Sequence, residues 1–383
     1  MYKAAIEFIK FQFPSQGFIP LHEPRFIGNE KVYLNDCIDS TFVSSVGAYV
    51  NRFEEMICEI TGAKHAVAVV NGTNALHIAL LVSGVKPEEE VITQAMTFVA
   101  TANAIAYCQA KPVFIDVDRS TLGMSPDALL AFLKQNTQLR ADGYTYNVKT
   151  NKRIAACVPM HTFGFPCKID QLVDICEEWN IALVEDAAES LGSYFKEQHT
   201  GTFGKVGVFS FNGNKTITCG GGGAVVTNDE GLAKRIKHLT TQAKVPHPWE
   251  FNHDAIGYNY RMPNLNAALA CAQLEQLTAF VANKRELAQQ YAVFFESQKI
   301  TFMLEPKDSI ANYWLNGVLL ENKEERNQFL EITNSSGVMT RPVWELMNNL
   351  TMFKECQSDS LTNSQWLADR LVNIPSSVRV IRK

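Results

Sequence analysis

The sequence predicts an α/β protein with a mainly parallel central sheet covered by helices, and three observations lead there. Short β-branched apolar runs alternate with helical patterns through the first half of the chain. Those runs are continuously apolar, as strands buried on both faces are. The pattern then changes from about residue 250, where a long helical stretch leads into a mixed α+β tail. With 383 residues the chain has room for two or three domains. We expect a large domain over 1–250, with an N-terminal extension, and a smaller α+β C-terminal domain over 251–383. The boundary falls where Pro, His and aromatic residues cluster in KVPHPWEFNHD.

The elements follow in order. AVAVVN (66–71) reads as a strand, and GTNALHIALLVSG as a helix that stops at Gly84. EVITQ (90–94) is a strand followed by the helical stretch FVATANAIAYCQ. PVFIDV (112–117) is a strand, and SPDALLAFLKQ is a helix capped by Ser125 with Pro126 at its first position. IAACVPM (154–160), IALVED (181–186), VGVFSF (206–211) and GAVVTN (223–228) are further strands, and DEGLAKRIKHLTTQ is a helix. A long helix, with or without a break, spans roughly 264–299.

Composition narrows the function. Hydrophobic residues make up 46% and charged residues 20%, which excludes a disordered chain. The net charge of −5 gives no basic footprint for a phosphate backbone, so nucleic acid is not expected as a partner. No apolar run is long enough to span a membrane, and Lys3, Glu7 and Lys10 interrupt the N-terminus where a secretory signal would be apolar. The nine cysteines are odd in number and lack CxxC or His-containing ligand spacing. Reduced, buried thiols in a cytoplasmic protein are expected, and no metal site.

Ligands of parallel sheets bind beyond the carboxyl ends of the strands, and four such ends carry unusual residues. Asn71-Gly72-Thr73-Asn74 starts a helix, where backbone N–H groups and the dipole suit an anion; the plain alternative is a turn capped by Thr73 or Asn74. Phe98, after EVITQ, could stack on a planar ring or sit in the core. Glu185 and Asp186 close a buried strand, which is costly without partners. Ser210 ends a strand that leads through Asn212-Gly213-Asn214 to Lys215 and then a glycine run. A lysine in apolar surroundings loses its proton more readily and can form a Schiff base. The glycine run enters a strand rather than a helix, so it is no dinucleotide fingerprint, and no Walker A or GxSxG motif occurs. An anion cup, a stacking ring, an acid for a ring nitrogen and a Schiff-base lysine together are what pyridoxal 5'-phosphate needs.

The segments carrying these residues resemble the DegT/StrS-type sugar aminotransferases of the aspartate aminotransferase fold, pyridoxal phosphate fold type I. They are FIPLHEPRFIGNE, RFEEMICEITGAKHAVAVVNGTNALHIAL, TFVATANAI, PMHTFGFPCKI, ALVEDAAESLGS, GVFSFNGNKTITCGGGGAVVTND and GYNYRMPNLNAALACAQLEQL. They cover most of the first 275 residues. LHEPRF, CIDSTFVSSVG and EDAAES further resemble the branch that makes a 4-amino sugar nucleotide for legionaminic-acid-type sugars.

The resemblance implies that Lys215 attaches to the cofactor, Asp186 faces its ring nitrogen and Phe98 stacks on its ring. It implies that Gly72, Thr73 and Ser210 hold the phosphate, and that Asn259, in GYNYR, reaches the phosphate in a neighbouring subunit of a homodimer with shared sites. The family has Gln or His near the cofactor's phenolic oxygen where this chain has Glu189, whose role stays open, as does that of His161. Tyr313 and Trp314 line the sugar-nucleotide site or fill the core. The implied reaction moves an amino group from glutamate to C4 of a nucleotide-linked 4-keto-6-deoxy sugar, with a UDP-linked 2-acetamido-4-keto-2,4,6-trideoxyhexose as the first expectation and another 4-keto or 3-keto sugar, such as a GDP- or dTDP-linked one, as the alternative. A dehydratase of the same fold would carry His in place of Lys215, and a non-catalytic regulator would need a binding module that the acidic chain does not show.

Overall fold

A computed structural model describes residues 2–14 and 17–379. Seven strands form the main sheet: β1 (His65–Val69), β2 (Glu90–Gln94), β3 (Lys111–Ile115), β4 (Ile154–Val158), β5 (Ala182–Asp186), β6 (Val206–Ser210) and β7 (Gly223–Thr227). Their order is β1-β7-β6-β5-β4-β2-β3, and every neighbouring pair is parallel except the two that involve β7. Each strand lies within two residues of its predicted place. The antiparallel insertion of β7 was not legible, because its glycines and valines suit either direction.

Eight helices flank or precede these strands: α1 (Tyr2–Gln12), α2 (Glu30–Asp39), α3 (Ala48–Thr61), α4 (Gly72–Val82), α5 (Val99–Tyr107), α6 (Pro126–Asn136), α7 (Ile169–Glu178) and α8 (Glu230–Thr240). Ser125 caps α6 by accepting the N–H of Ala128, with Pro126 in the first turn, as the sequence predicts. Asp229 caps α8 in the same way through Leu232. Helix α3 buries Val50, Phe53, Ile57 and Thr61, a stripe at helical spacing, and ends at Gly62 in the left-handed conformation.

The long helix is broken into α9 (Asn264–Leu274) and α10 (Leu277–Ser297). Beyond it, β8 (Thr301–Phe302), β9 (Asn316–Leu319), β10 (Arg341–Pro342) and β11 (Leu371–Ile374) form an antiparallel sheet in the order β8-β9-β11-β10, with α11 (Lys323–Ser335) and α12 (Thr362–Ala368) between its strands. The division near residue 250 we keep as a proposal, and its edges interleave. Ala5, Ile6 and Ile9 of α1 join the core of the second sheet with Leu287, Tyr291, Val318 and Val372. Ala267 and Cys271 of α9 share a core with Phe53 and Ile57 of α3. All nine cysteines are free thiols. Among the described residues no helix is long and apolar enough to cross a membrane.

Candidate active site

The carboxyl ends of the main strands meet in a cavity of about 360 Å³, roofed by loops of the C-terminal part. Gly72, Thr73, Phe98, Asp186, Glu189, Ser210 and Lys215 all line it. Seven of the eight site residues picked out in the sequence are thus brought together. The eighth, Asn259, is exposed and pairs with Arg261 of its own chain, away from this cavity.

One end is an anion cup. The cap of α4 is Asn71, whose side chain accepts the N–H of Asn74 at 2.8 Å, and not Thr73 or Asn74 as the turn reading had it. The Gly72 and Thr73 amides thereby stay at the open helix start, where the dipole favours negative charge. A Cβ on Gly72 would meet the Cβ of Ser210 at 2.8 Å, so glycine is what lets the end of β6 close the cup.

The other end holds the acids and the amine. Side chains alternate along a strand, so Glu185 and Asp186 leave β5 on opposite faces. Glu185 is fully buried away from the cavity. It accepts the N–H groups of Gly201, Phe203 and Gly204 and faces His161 Nε2 at 3.0 Å. His161 also accepts the Cys167 N–H at Nδ1, so it ties the strand end to the next loop and does not enter the cavity. Asp186 turns into the cavity, 2% exposed. Its Oδ2 accepts the Thr101 hydroxyl at 2.7 Å and its Oδ1 the Ala188 N–H at 3.2 Å. Burial raises its pKa, opposed by these two hydrogen bonds and by the Lys215 charge.

Lys215 follows β6 in a tight turn, its N–H donating to Asn212. Its Nζ stands 3.2 Å from Glu189 Oε1 and 4.0 Å from the centre of the Trp314 ring. The Trp314 indole N–H donates to Asn214 at 2.7 Å, fixing the ring against the lysine turn. Tyr313 points elsewhere, onto Phe165 and the Glu305 N–H; both rings belong to the core, and Trp314 also lines the cavity. Phe98 is 47% exposed at the mouth, with Trp344 at 6.0 Å.

Sequence reasoning missed Thr101 and Trp344 at the site, and did not single out His22 close by. Thr101 lies one helical turn after Phe98, and that spacing was the only available signal. Trp344 follows β10 and reaches the cavity only through the fold. The ring nitrogens of His22 are buried, and burial together with the charges of Lys284 and Lys215 holds its pKa well below the usual value against a bond with the Asn214 backbone.

These features define a class: an α/β enzyme in which a lysine amine and a buried carboxylate face one cavity whose far end is a helix-start anion site. The chain belongs to the DegT/DnrJ/EryC1/StrS aminotransferase family, which residues 25–382 match. It is 38% identical to the GDP-perosamine synthase of Escherichia coli O157:H7, over 94% of this chain and 93% of that one. It is 35% identical to the GDP-perosamine synthase of Vibrio cholerae, over 94% of each chain. The structure of the aminotransferase TlmJ from Streptoalloteichus hindustanus superposes with a TM-score of 0.84 at 26% identity, covering 94% of this chain and 93% of that one. The chain is therefore a nucleotide-sugar aminotransferase that depends on pyridoxal phosphate. The legionaminic branch expected from the sequence is not the one these relatives represent; they carry the GDP-sugar name.

The cavity fits the cofactor. The cup between Gly72 and Ser210 would be filled by a single Cβ, and suits a phosphate. Asp186, raised by burial, has one helix hydroxyl and one N–H as partners and room for a cationic ring nitrogen on the cavity side.

Proposed function

We propose that the enzyme transfers an amino group from glutamate to C4 of a GDP-linked 4-keto-6-deoxy sugar. The observation that carries this is the pair of GDP-perosamine synthases matching nearly the whole chain. A second reading, the UDP-linked 2-acetamido sugar of a legionaminic-type route, rests on LHEPRF, CIDSTFVSSVG and EDAAES.

In this proposal Gly72, Thr73 and Ser210 hold the phosphate of the cofactor, Phe98 covers its ring, Asp186 keeps the ring nitrogen protonated and Lys215 carries it. Pyridoxal phosphate, when bound, supplies an electron sink for the carbon beside the transferred nitrogen. Lys215, once released, takes a proton from that carbon and returns it at the other end of the transferred C–N unit, as general base and then acid. Trp314 covers one side of its Nζ and leaves the other side to the cavity.

The same proposal includes a homodimer with shared sites. Its support is the number of exposed apolar side chains in two stretches of the chain, Phe26, Ile27, Val32, Ile38, Phe42 and Val46 in one and Trp249, Phe251 and Ile256 before Asn259 in the other. A cytoplasmic setting accords with the free thiols. The test supplies the loaded enzyme and glutamate with GDP-, UDP- and dTDP-linked 4-keto-6-deoxy sugars in turn. Turnover of the GDP sugar alone supports the first reading, and preference for the UDP acetamido sugar replaces it with the second.

A further inference from the structure

Glu189 follows Asp186 by three positions and lines the same cavity. Its carboxyl group is fixed at both ends. Oε2 accepts the Phe163 N–H at 2.8 Å and Oε1 lies 3.2 Å from Lys215 Nζ. Its backbone carbonyl is held by Asn312 Nδ2 at 2.9 Å. The pair is nearly dry, with side-chain exposures of 12% for Lys215 and 1% for Glu189. Trp314 closes the other side of the ammonium. The remaining carboxylate of the cavity, Asp186, is engaged by Thr101 and Ala188. Of the other basic groups nearby, Lys284 donates to the carbonyls of Trp314 and Ser376.

We infer that Glu189 is the proton-holding partner of Lys215: it takes the proton that the Lys215 ammonium must shed before its nitrogen can attack the cofactor's aldehyde, and keeps it while the freed amine acts as general base. The exchange is Lys–NH3+ with Glu–COO− to Lys–NH2 with Glu–COOH. One proton changes owner, and the later attachment to the aldehyde releases one water. No solvent access is needed, because donor and acceptor are already in contact. Burial raises the Glu189 carboxyl to about 7 against the opposing charge of Lys215, so both of its forms are within reach at neutral pH. The titratable groups facing the pair are Asp186, His22 with its lowered pKa and, behind Trp314, Lys284.

This inference rests on the reading of Lys215 as the cofactor-bearing amine, and the test separates the two. Cofactor-free protein is mixed with pyridoxal phosphate, and the attachment rate is followed by absorbance across neutral pH for wild type, Glu189→Gln, Glu189→Asp and Lys215→Ala. Gln keeps the size of the side chain and an acceptor for Phe163, and circular dichroism and melting confirm that each variant folds. Wild type should show a titration step near neutrality that Glu189→Asp retains and Glu189→Gln lacks. Glu189→Gln should attach roughly a hundredfold slower at neutral pH, because the ammonium then has no contacting base to take its proton. If only Lys215→Ala differs and Glu189→Gln follows the wild-type profile, the inference alone is overturned. If Lys215→Ala attaches cofactor as wild type does, the Lys215 reading fails and the inference fails with it.

Discussion

Thr101→Val tests the electrostatic core of the site. The substitution swaps a hydroxyl for a methyl of nearly the same size, and removes the 2.7 Å bond to Asp186 Oδ2. Thr97 loses a neighbour but keeps its contact with Met160 Sδ at 2.9 Å, so the local packing survives. A hydrogen bond to a charged group contributes about 1.5–3 kcal/mol, which corresponds to roughly a ten- to hundredfold change in an equilibrium constant. Asp186 already has its pKa raised by burial, and the Thr101 bond works against that rise. Without it the acid holds its proton to higher pH. Less carboxylate then faces the ring nitrogen. Cofactor affinity should therefore fall by roughly ten- to hundredfold, most at low pH, with the deficit shrinking as pH rises and the carboxylate is restored. Absorbance titration of the cofactor-free protein at several pH values measures this. Thr101→Ser, which keeps the hydroxyl, should behave as wild type. A Thr101→Val protein that matches wild-type affinity at every pH would refute the role given to this contact.

Other expectations follow from single observations. Gly72→Ala places a Cβ 2.8 Å from Ser210, and the overpacking strain of about 1–3 kcal/mol should appear mainly as weaker cofactor binding in the same titration. Glu185→Leu orphans the N–H groups of Gly201, Phe203 and Gly204 and the His161 ring, and should cost about 3 kcal/mol or more, read as a melting temperature several degrees lower. Lys284 is buried with its pKa lowered from 10.5 to about 7. Between those values the unfolded chain binds a proton there that the folded chain does not, so this group makes stability rise with pH, by about 1.4 kcal/mol per pH unit. Lys284→Met should flatten that slope in denaturant unfolding, and an unchanged slope would show that the residue does not titrate there. Mixing inactive Lys215→Ala with inactive Asn259→Ala should restore part of the activity if sites are shared between subunits, and none if each site is complete within one chain.

The positions of the seven main strands and the lysine–acid pair were legible in the sequence, because they depend on local signals: continuous apolar runs, polar residues at their ends, and glycines where a helix begins. The same signals placed the site at the carboxyl ends of the strands. Local pattern also implied that Glu185 and Asp186 face opposite ways, but not which of them enters the cavity. That was decided by the loop over Gly201–Gly204, whose amides claim Glu185 and leave Asp186 to the cavity. Likewise Trp314 and not Tyr313 meets Lys215, and Trp344 arrives from a loop 129 positions further along the chain than Lys215. The sequence by itself determined the fold and the kinds of group at the site, since hydrophobic period and strand-end chemistry act over a few residues. Only the tertiary structure decided that Glu189 meets the lysine and that Thr101 braces Asp186, since each of those contacts is set by where distant segments come to rest against one another.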